Sequence, residues 1–286
     1  MYRLGAVACA LLICSAEASR AHQHSPELAR NLSGLAARTQ HYYDRFVSII
    51  CTETVRQQDL KSSLAPDGKP RVTTYELSVT RDPLNKGEEE FRVERIVQSV
   101  NGRPPRSNHK PGCTDPKTGT PEPMAFLLAA NQHRYRFSLP DGSDGVARTG
   151  PPGTRAIDFI ETPPERVRIK WEGNCFEAEG GGHQGRVWFD PITYDVLQVD
   201  VRLSKPFMVP VPSSFFGLQP AIRVERSEMT LRFARVQFQE PDESVLLPLS
   251  IDTLHVLRGI ASLRINQTLG GYRRFLTKTE IRPTAF

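Results

Sequence analysis

The sequence has little cysteine, no second long apolar run and none of the short motifs that mark common enzymes. Only five cysteines occur among its 286 residues, which excludes a disulfide-dense scaffold. G-x-S-x-G, H-E-x-x-H, C-x-x-C and a Gly-rich phosphate loop are absent, and no Cys or His pair has the spacing of metal ligands. We therefore expect no cofactor, no metal and no enzymatic activity.

An excess of charge of one sign is also missing. The formal net charge is +5, and acidic residues are interspersed with basic ones along the chain. Nucleic-acid-binding proteins instead carry a clustered basic footprint. We therefore expect no nucleic-acid partner.

The one long apolar run lies at the N-terminus, where Leu4 to Cys14 follows Arg3. Ala16-Glu17-Ala18 and Ser19-Arg20-Ala21 each match a small-residue cleavage site. The pattern predicts a cleaved signal peptide over residues 1–21 and a periplasmic or secreted protein with a single domain over residues 22–286. An uncleaved membrane anchor is the alternative, and Ile13 stands where the lipobox of a lipoprotein has a small residue. No later run is long enough to cross a membrane.

The mature chain begins with the signals of a helix and continues with those of strands. Ser25-Pro26-Glu27 is a helix start, and apolar residues then recur at helical spacing, which predicts one amphipathic helix over residues 26–46. From Gly185 to Leu203, apolar and polar residues alternate on both sides of a turn at Asp190–Asp195, which predicts a β-hairpin. In the second arm the apolar set is Leu197, Val199, Val201 and Leu203.

The rest of the chain repeats this strand pattern. Residues 73–79, 88–100, 133–139, 156–160 and 167–171 also alternate, and further strands are predicted from residue 222 to residue 281, with a break at Gly270-Gly271. Residues 123–130 favour a short helix, and long loops are expected at 103–122 and 141–153. The absence of a βαβ rhythm predicts an α+β fold, a strongly curved antiparallel sheet of about ten strands that covers the long helix.

Such a one-sided sheet has more apolar surface than one helix can cover. The sheet and helix therefore enclose either an apolar cavity or a filled core, and the sequence leaves both open. The predicted wall consists of Leu35, Tyr42, Tyr75, Leu77, Val79, Tyr135, Phe137, Val167, Ile169, Trp171, Leu197, Val199 and Val201.

The predicted outward face of the sheet is basic. It is either an ordinary solvated face or a surface for anionic lipid or a protein partner. Its members are Arg134, Arg136, Arg166, Arg168, Lys170, Arg186, Arg202 and Arg232.

Three cysteines remain after residue 21. Cys113 lies in a long loop and Cys175 ends a predicted strand, so a Cys113–Cys175 disulfide is the preferred pairing in an exported protein. Cys51 lies in an apolar run and is expected to be a small buried hydrophobe.

Several short stretches resemble a set of uncharacterised exported bacterial proteins of acidobacterial type. These stretches are Tyr43 to Glu53, Asn101-Gly102-Arg103-Pro104, Cys113 to Lys117, Thr120 to Pro123, Trp171 to Cys175 and Gly185 to Asp190. More distantly, the layout is similar to the lipoprotein carriers LolA and LolB and to the LolA-like domain of RseB. That resemblance implies a LolA-like half-barrel around an N-terminal helix, with a hydrophobic concave face for lipid or lipoprotein acyl chains.

The sequence thus favours an exported, non-enzymatic protein that holds a lipid or lipoprotein acyl chain between sheet and helix. The alternative is an envelope sensor or assembly module that binds a protein partner through the basic face or the long loops. An enzyme on the same scaffold is the third possibility.

Overall fold

The computed structural model describes most of the chain after the predicted signal peptide. The described residues are 25–46, 48–83, 89–105, 124–140, 150–163, 166–172, 175–212 and 221–274. The predicted signal peptide, Cys113 and most of the two predicted long loops lie outside them.

The helix α1 spans Pro26–Arg45, which confirms the predicted helix. The Ser25 hydroxyl accepts a hydrogen bond from the backbone N–H of Leu28 at 3.2 Å, and a proline in the first turn needs no helical N–H partner. Phe46 is the C-cap residue that follows the helix, and its N–H donates to the Tyr42 carbonyl. No helix among the residues described here is both long and apolar enough to span a membrane.

Thirteen strands follow in the described part of the chain. They are β1 Ile49–Leu60, β2 Arg71–Pro83, β3 Glu89–Val100, β4 Tyr135–Ser138, β5 Arg155–Glu161, β6 Arg168–Glu172, β7 Cys175–Glu179, β8 His183–Phe189, β9 Val196–Leu203, β10 Phe207–Pro210, β11 Ala221–Gln239, β12 Asp242–Arg258 and β13 Ser262–Arg274.

Eleven of these strands form one antiparallel sheet, and the fold is α+β as predicted. The order is β3-β2-β1-β13-β12-β11-β9-β8-β5-β4, with β10 paired to β11, so among the described strands β3 and β4 stand at the two ends of the order and the sheet is open. Strands β6 and β7 form a second, two-stranded sheet, and neither pairs with another strand in the described residues.

The hairpin predicted between Gly185 and Leu203 is present as β8 and β9, with Val187 opposite Val199. Its turn is held by Asp190, whose Oδ1 accepts the N–H groups of Ile192 at 2.7 Å and Thr193 at 2.9 Å. These backbone donors, Thr193 first, lower the pKa of Asp190 because they favour its charged form. The Asp190 side chain therefore stabilises the turn.

Residues 123–130 were predicted to be a short helix, and this is wrong for most of the segment. Only Ala125–Leu127 forms a single 3₁₀ turn, and a second one, Gln132–Arg134, precedes β4. The side chain of Asn131 donates to the Ala125 carbonyl at 2.8 Å, and that of Gln132 donates to the Leu127 carbonyl at 2.9 Å. These side chains take up carbonyls that a longer helix would have used.

The predicted break at Gly270-Gly271 is also wrong, because β13 runs through both glycines. The pairing register between β1 and β13 shifts between Ile50 and Thr52, opposite this point. Gly271 absorbs the shift with a φ of +61°, which a glycine adopts without strain.

The main core lies between α1 and one face of the large sheet, here called the inner face. The cluster joins Leu35 of the helix to Val79 of β2, Val187 of β8, Val199 of β9 and Leu231 of β11. Strands well separated in the sheet order therefore meet one helix, so the sheet curves around it.

Candidate functional site

More than half of the predicted apolar wall is covered by the protein's own atoms. The seven buried members are Leu35, Tyr42, Tyr75, Leu77, Val79, Phe137 and Val199. All except Tyr75 belong to the main core under α1, together with Met124 and Leu127 from the segment before β4. The N–H of Met124 donates to the Tyr43 hydroxyl at 3.1 Å, which fixes that segment against the helix.

Ion pairs connect α1 to the strands at one end of the sheet. The carboxylate of Asp195, in the turn before β9, lies 2.5 Å from the guanidinium of Arg38 on the helix and 2.5 Å from that of Arg235 on β11. Glu243 in the same way joins Arg45 of the helix, at 3.1 Å, to Arg274 of β13, at 2.5 Å. These contacts lie near the start of β9 and β12 and the end of β11 and β13, so the helix covers that end of the inner face.

The remaining wall residues lie outside this buried set. Tyr135, Leu197 and Val201 are half-buried and pack against the edge of the main core.

Ile169 and Trp171 belong to a second apolar cluster, because β6 is not part of the large sheet. This cluster is built around Val209, Ile222 and Val224, with Leu203 and Phe207 at its margin. A Cβ added to Gly181 would touch side-chain atoms of Leu203, Val167 and Phe207 within 3.7 Å, so Val167 lies in the same place.

A row of half-buried side chains crosses the inner face between these two clusters. The register places Val201 of β9 opposite Met229 of β11, Met229 opposite Thr253 of β12, and Thr253 opposite Ile265 of β13. Directly opposed residues share one face of a sheet. Val201 lies six residues beyond Asp195 in β9, about 20 Å along an extended chain, and so well away from the helix attachment.

The row is the part of the candidate site that the predicted wall largely missed. Val201 was in that wall, whereas Met229 and Ile265 were not. Met229 could have been predicted from the sequence, because it lies two residues before Leu231 and therefore on the same face of the strand. Ile265 could be assigned to the same row only once the pairing of β12 with β13 was known.

Glycine shapes the start of this row. Gly185 of β8 lies opposite Val201, and a Cβ there would stand 1.9 Å from the Asp200 carbonyl oxygen and 2.9 Å from the Phe159 ring. A side chain at residue 185 is therefore excluded. The Phe159 ring packs close to the backbone of Gly185 and belongs to the main core beside the row.

The titratable groups near the inner face are mostly held in their neutral or paired forms. Burial lowers the pKa of His255, whose Nδ1 lies 3.1 Å from the Ser227 hydroxyl. Burial also raises the pKa of the free Cys51 thiol to about 12, with the charge of Glu53 as a smaller cause. The buried Glu53 carboxylate lies 2.7 Å from Arg95 Nε.

Cys51 is buried as predicted, whereas Cys113 lies outside the described residues, so the predicted bridge to Cys175 stays a prediction.

The predicted basic face is not one continuous basic surface. Arg134, Arg186 and Arg232 each lie within 3.3 Å of a carboxylate, those of Glu161, Asp158 and Asp252 respectively. Arg136 and Arg202 are exposed on β4 and β9, whereas Arg166, Arg168 and Lys170 lie on or beside β6, outside the large sheet.

The outer face of β11–β13 carries a shallow depression of about 170 Å³. Its rim carries charged and amide side chains, and its lining consists of Glu228, Met229, Thr230, Asp252, Thr253, Leu254, Arg264 and Asn266. The Asn266 side chain donates to Asp252 at 2.7 Å, so the polar groups there partly satisfy one another. This lining does not suit an acyl chain.

Comparison with protein-family models, curated proteins and solved structures gives no match for this chain. The function is therefore inferred from the geometry of the inner face.

Proposed function

We propose that the protein is an exported, non-enzymatic binding protein that holds the acyl chain of a lipid or lipoprotein on its inner face. The observation that carries this proposal is the row Val201, Met229, Thr253 and Ile265, which is half-buried and continuous across four strands. Apolar side chains that converge in a concave surface are the usual lining of a ligand site. The acyl chain lies along this row, beyond the part of the face that the helix fills.

The shape and order of the row support an elongated amphiphile. Four adjacent strands spaced about 4.8 Å apart give a strip about 14 Å wide. The same row continues past Ile265 into Gln57 of β1 and Arg71 of β2. Polar residues therefore bound the strip at this end, which suits a ligand with an apolar tail and a polar head group.

The alternative of a protein partner on a basic sheet face receives less support. Carboxylates already neutralise Arg134, Arg186 and Arg232 at close range, and a neutralised pair attracts an anionic surface weakly. We therefore place the ligand on the inner face.

The test is a titration of delipidated, purified protein with oleate, followed by calorimetry or displacement of a fluorescent fatty acid. We expect about one site per chain. Met229→Glu should abolish binding, because it puts a charge in the middle of the strip, whereas Ile192→Glu in the exposed β8–β9 turn should leave it unchanged. Circular dichroism checks that both variants are folded.

A second variant tests the strip without adding a charge. Thr253→Val replaces one hydroxyl with a methyl group of similar size, and one more buried apolar group tightens binding about fourfold. Absence of oleate binding by the wild type, or an affinity that neither Met229→Glu nor Thr253→Val changes, contradicts the proposal.

A further inference from the structure

One edge of the large sheet is a long strand without a partner among the described residues. Within the part of the chain that the structure describes, strand β3 (Glu89–Val100) pairs only with β2, whereas β4 at the opposite edge covers just Tyr135–Ser138. A long edge strand presents a row of backbone donors and acceptors that can pair with another strand. The short β4 offers little of this.

The stretch of β3 that pairs with β2 without interruption has a single central residue. Its ladder with β2 is uninterrupted from Glu89, opposite Pro83, to Val97, opposite Tyr75, and the register shifts just beyond. The middle residue of the stretch 89–97 is Val93. Two identical strands that pair antiparallel about a two-fold axis maximise their overlap when this residue lies on the axis.

The charges of β3 match this arrangement. With Val93 on the axis, Arg92 of one copy lies opposite Glu94 of the second copy, and symmetry repeats the pair. Both residues are exposed on the same face of β3, and opposite charges directly across two strands stabilise a sheet. An axis at Glu94 would instead place two glutamates opposite each other.

An exposed apolar side chain lies on the same face. Ile96 is 52% exposed, one of few large apolar residues in the described chain with that much contact with water. Like Arg92 and Glu94, it stands on the outward side of β3, one alternation farther along. With Val93 on the axis, Ile96 lies opposite residue 90 of the second copy, so it adds exposed apolar surface beside the paired strands and forms no apolar cross-strand pair.

We propose that β3 is a homodimer interface, in which a second copy of this chain pairs antiparallel with β3 about Val93 and joins the two sheets edge to edge. The occupant is a second copy because the strand is complementary to itself in charge. This inference does not depend on the proposed ligand, because β3 and the row of Val201 and Met229 lie in different parts of the sheet.

Sedimentation equilibrium of the purified protein over a wide concentration range tests the proposal. The wild type should show a reversible monomer–dimer equilibrium. Arg92→Glu and Glu94→Arg each turn two attractive pairs into two repulsive ones and should weaken the dimer at least about tenfold. The double variant with both substitutions exchanges the charges and should restore it.

Arg56→Glu is the matched control, because Arg56 is exposed on β1 in the interior of the sheet, and it should not change the dimer. Thermal unfolding checks that each variant is folded. A wild type that stays monomeric at all concentrations overturns the proposal. A dimer that survives both single substitutions, or one that the double variant fails to restore, overturns this pairing.

Discussion

The carboxylate of Asp195 is predicted to be the strongest single attachment of the helix to the sheet. Its side chain is 4% exposed, whereas those of Arg38 and Arg235 are 24% and 42% exposed. Asp195→Asn keeps the size of the side chain but leaves both guanidinium groups without a counter-charge. Breaking a fully buried pair costs about 3–5 kcal/mol, and exposed pairs contribute about 0–1 kcal/mol. Because the carboxylate is buried and the arginines are partly hydrated, we expect Asp195→Asn to lower the free energy of unfolding by about 2–3 kcal/mol.

The assay is urea unfolding followed by circular dichroism, with the thermal midpoint as a second reading. A loss of that size should lower the midpoint by about 5–10 °C in a protein of this length. Glu27→Gln is the control: Glu27 and Arg155 lie 3.1 Å apart, but their side chains are 53% and 57% exposed, so their pair should contribute below about 0.5 kcal/mol. Equal, small effects of the two substitutions would refute the reasoning that burial of Asp195 determines the strength of the attachment.

Three further predictions follow from the inner face. Gly185→Ala should destabilise the protein by more than about 2 kcal/mol, because its Cβ would meet the Asp200 carbonyl oxygen, whereas Gly270→Ala, with open space around it, should be tolerated in the same unfolding assay. Cys51, which is buried with a pKa of about 12, should not react with a thiol reagent at pH 8 until the protein is unfolded, and a count of more than one thiol in unreduced, denatured protein would argue against the predicted disulfide. Because burial lowers the pKa of His255 in the folded state, the unfolded state takes up a proton first as pH falls below about 6.5. The unfolding free energy should therefore drop toward pH 5, and less so in His255→Gln.

The local elements were predictable where a pattern and its boundary signals agreed. Ser25 and Pro26 mark the start of α1, and the alternation after Val196 together with the Asp190 turn marks the β8–β9 hairpin. In both places the physics is local, since caps, turn hydrogen bonds and alternation act over a few residues. The fold class followed from the tally of such elements.

What could not be predicted depends on pairing between distant strands. Residues 167–171 alternate like any half-buried strand, and nothing in that pattern says that β6 pairs with β7 outside the large sheet. Ile169 and Trp171 were therefore expected in the same wall as Val199, although they lie in the second cluster.

The candidate site was only partly predictable for the same reason. Val201 could be assigned to an inner face from alternation alone. Its alignment with Met229 and Ile265 depends on the register of β9, β11, β12 and β13, which bulges near Glu225 and Arg232 alter. The positions of these bulges relative to β12 are known only from the structure.

The most direct test of the proposed ligand site is photo-crosslinking with a diazirine-bearing fatty acid, followed by mass-spectrometric mapping of the labelled peptides. We expect labels on the inner-face row, at Val201, Met229 and Ile265, and competition by unlabelled oleate. Labels confined to the outer face around Leu254, or labelling that oleate does not reduce, would contradict it.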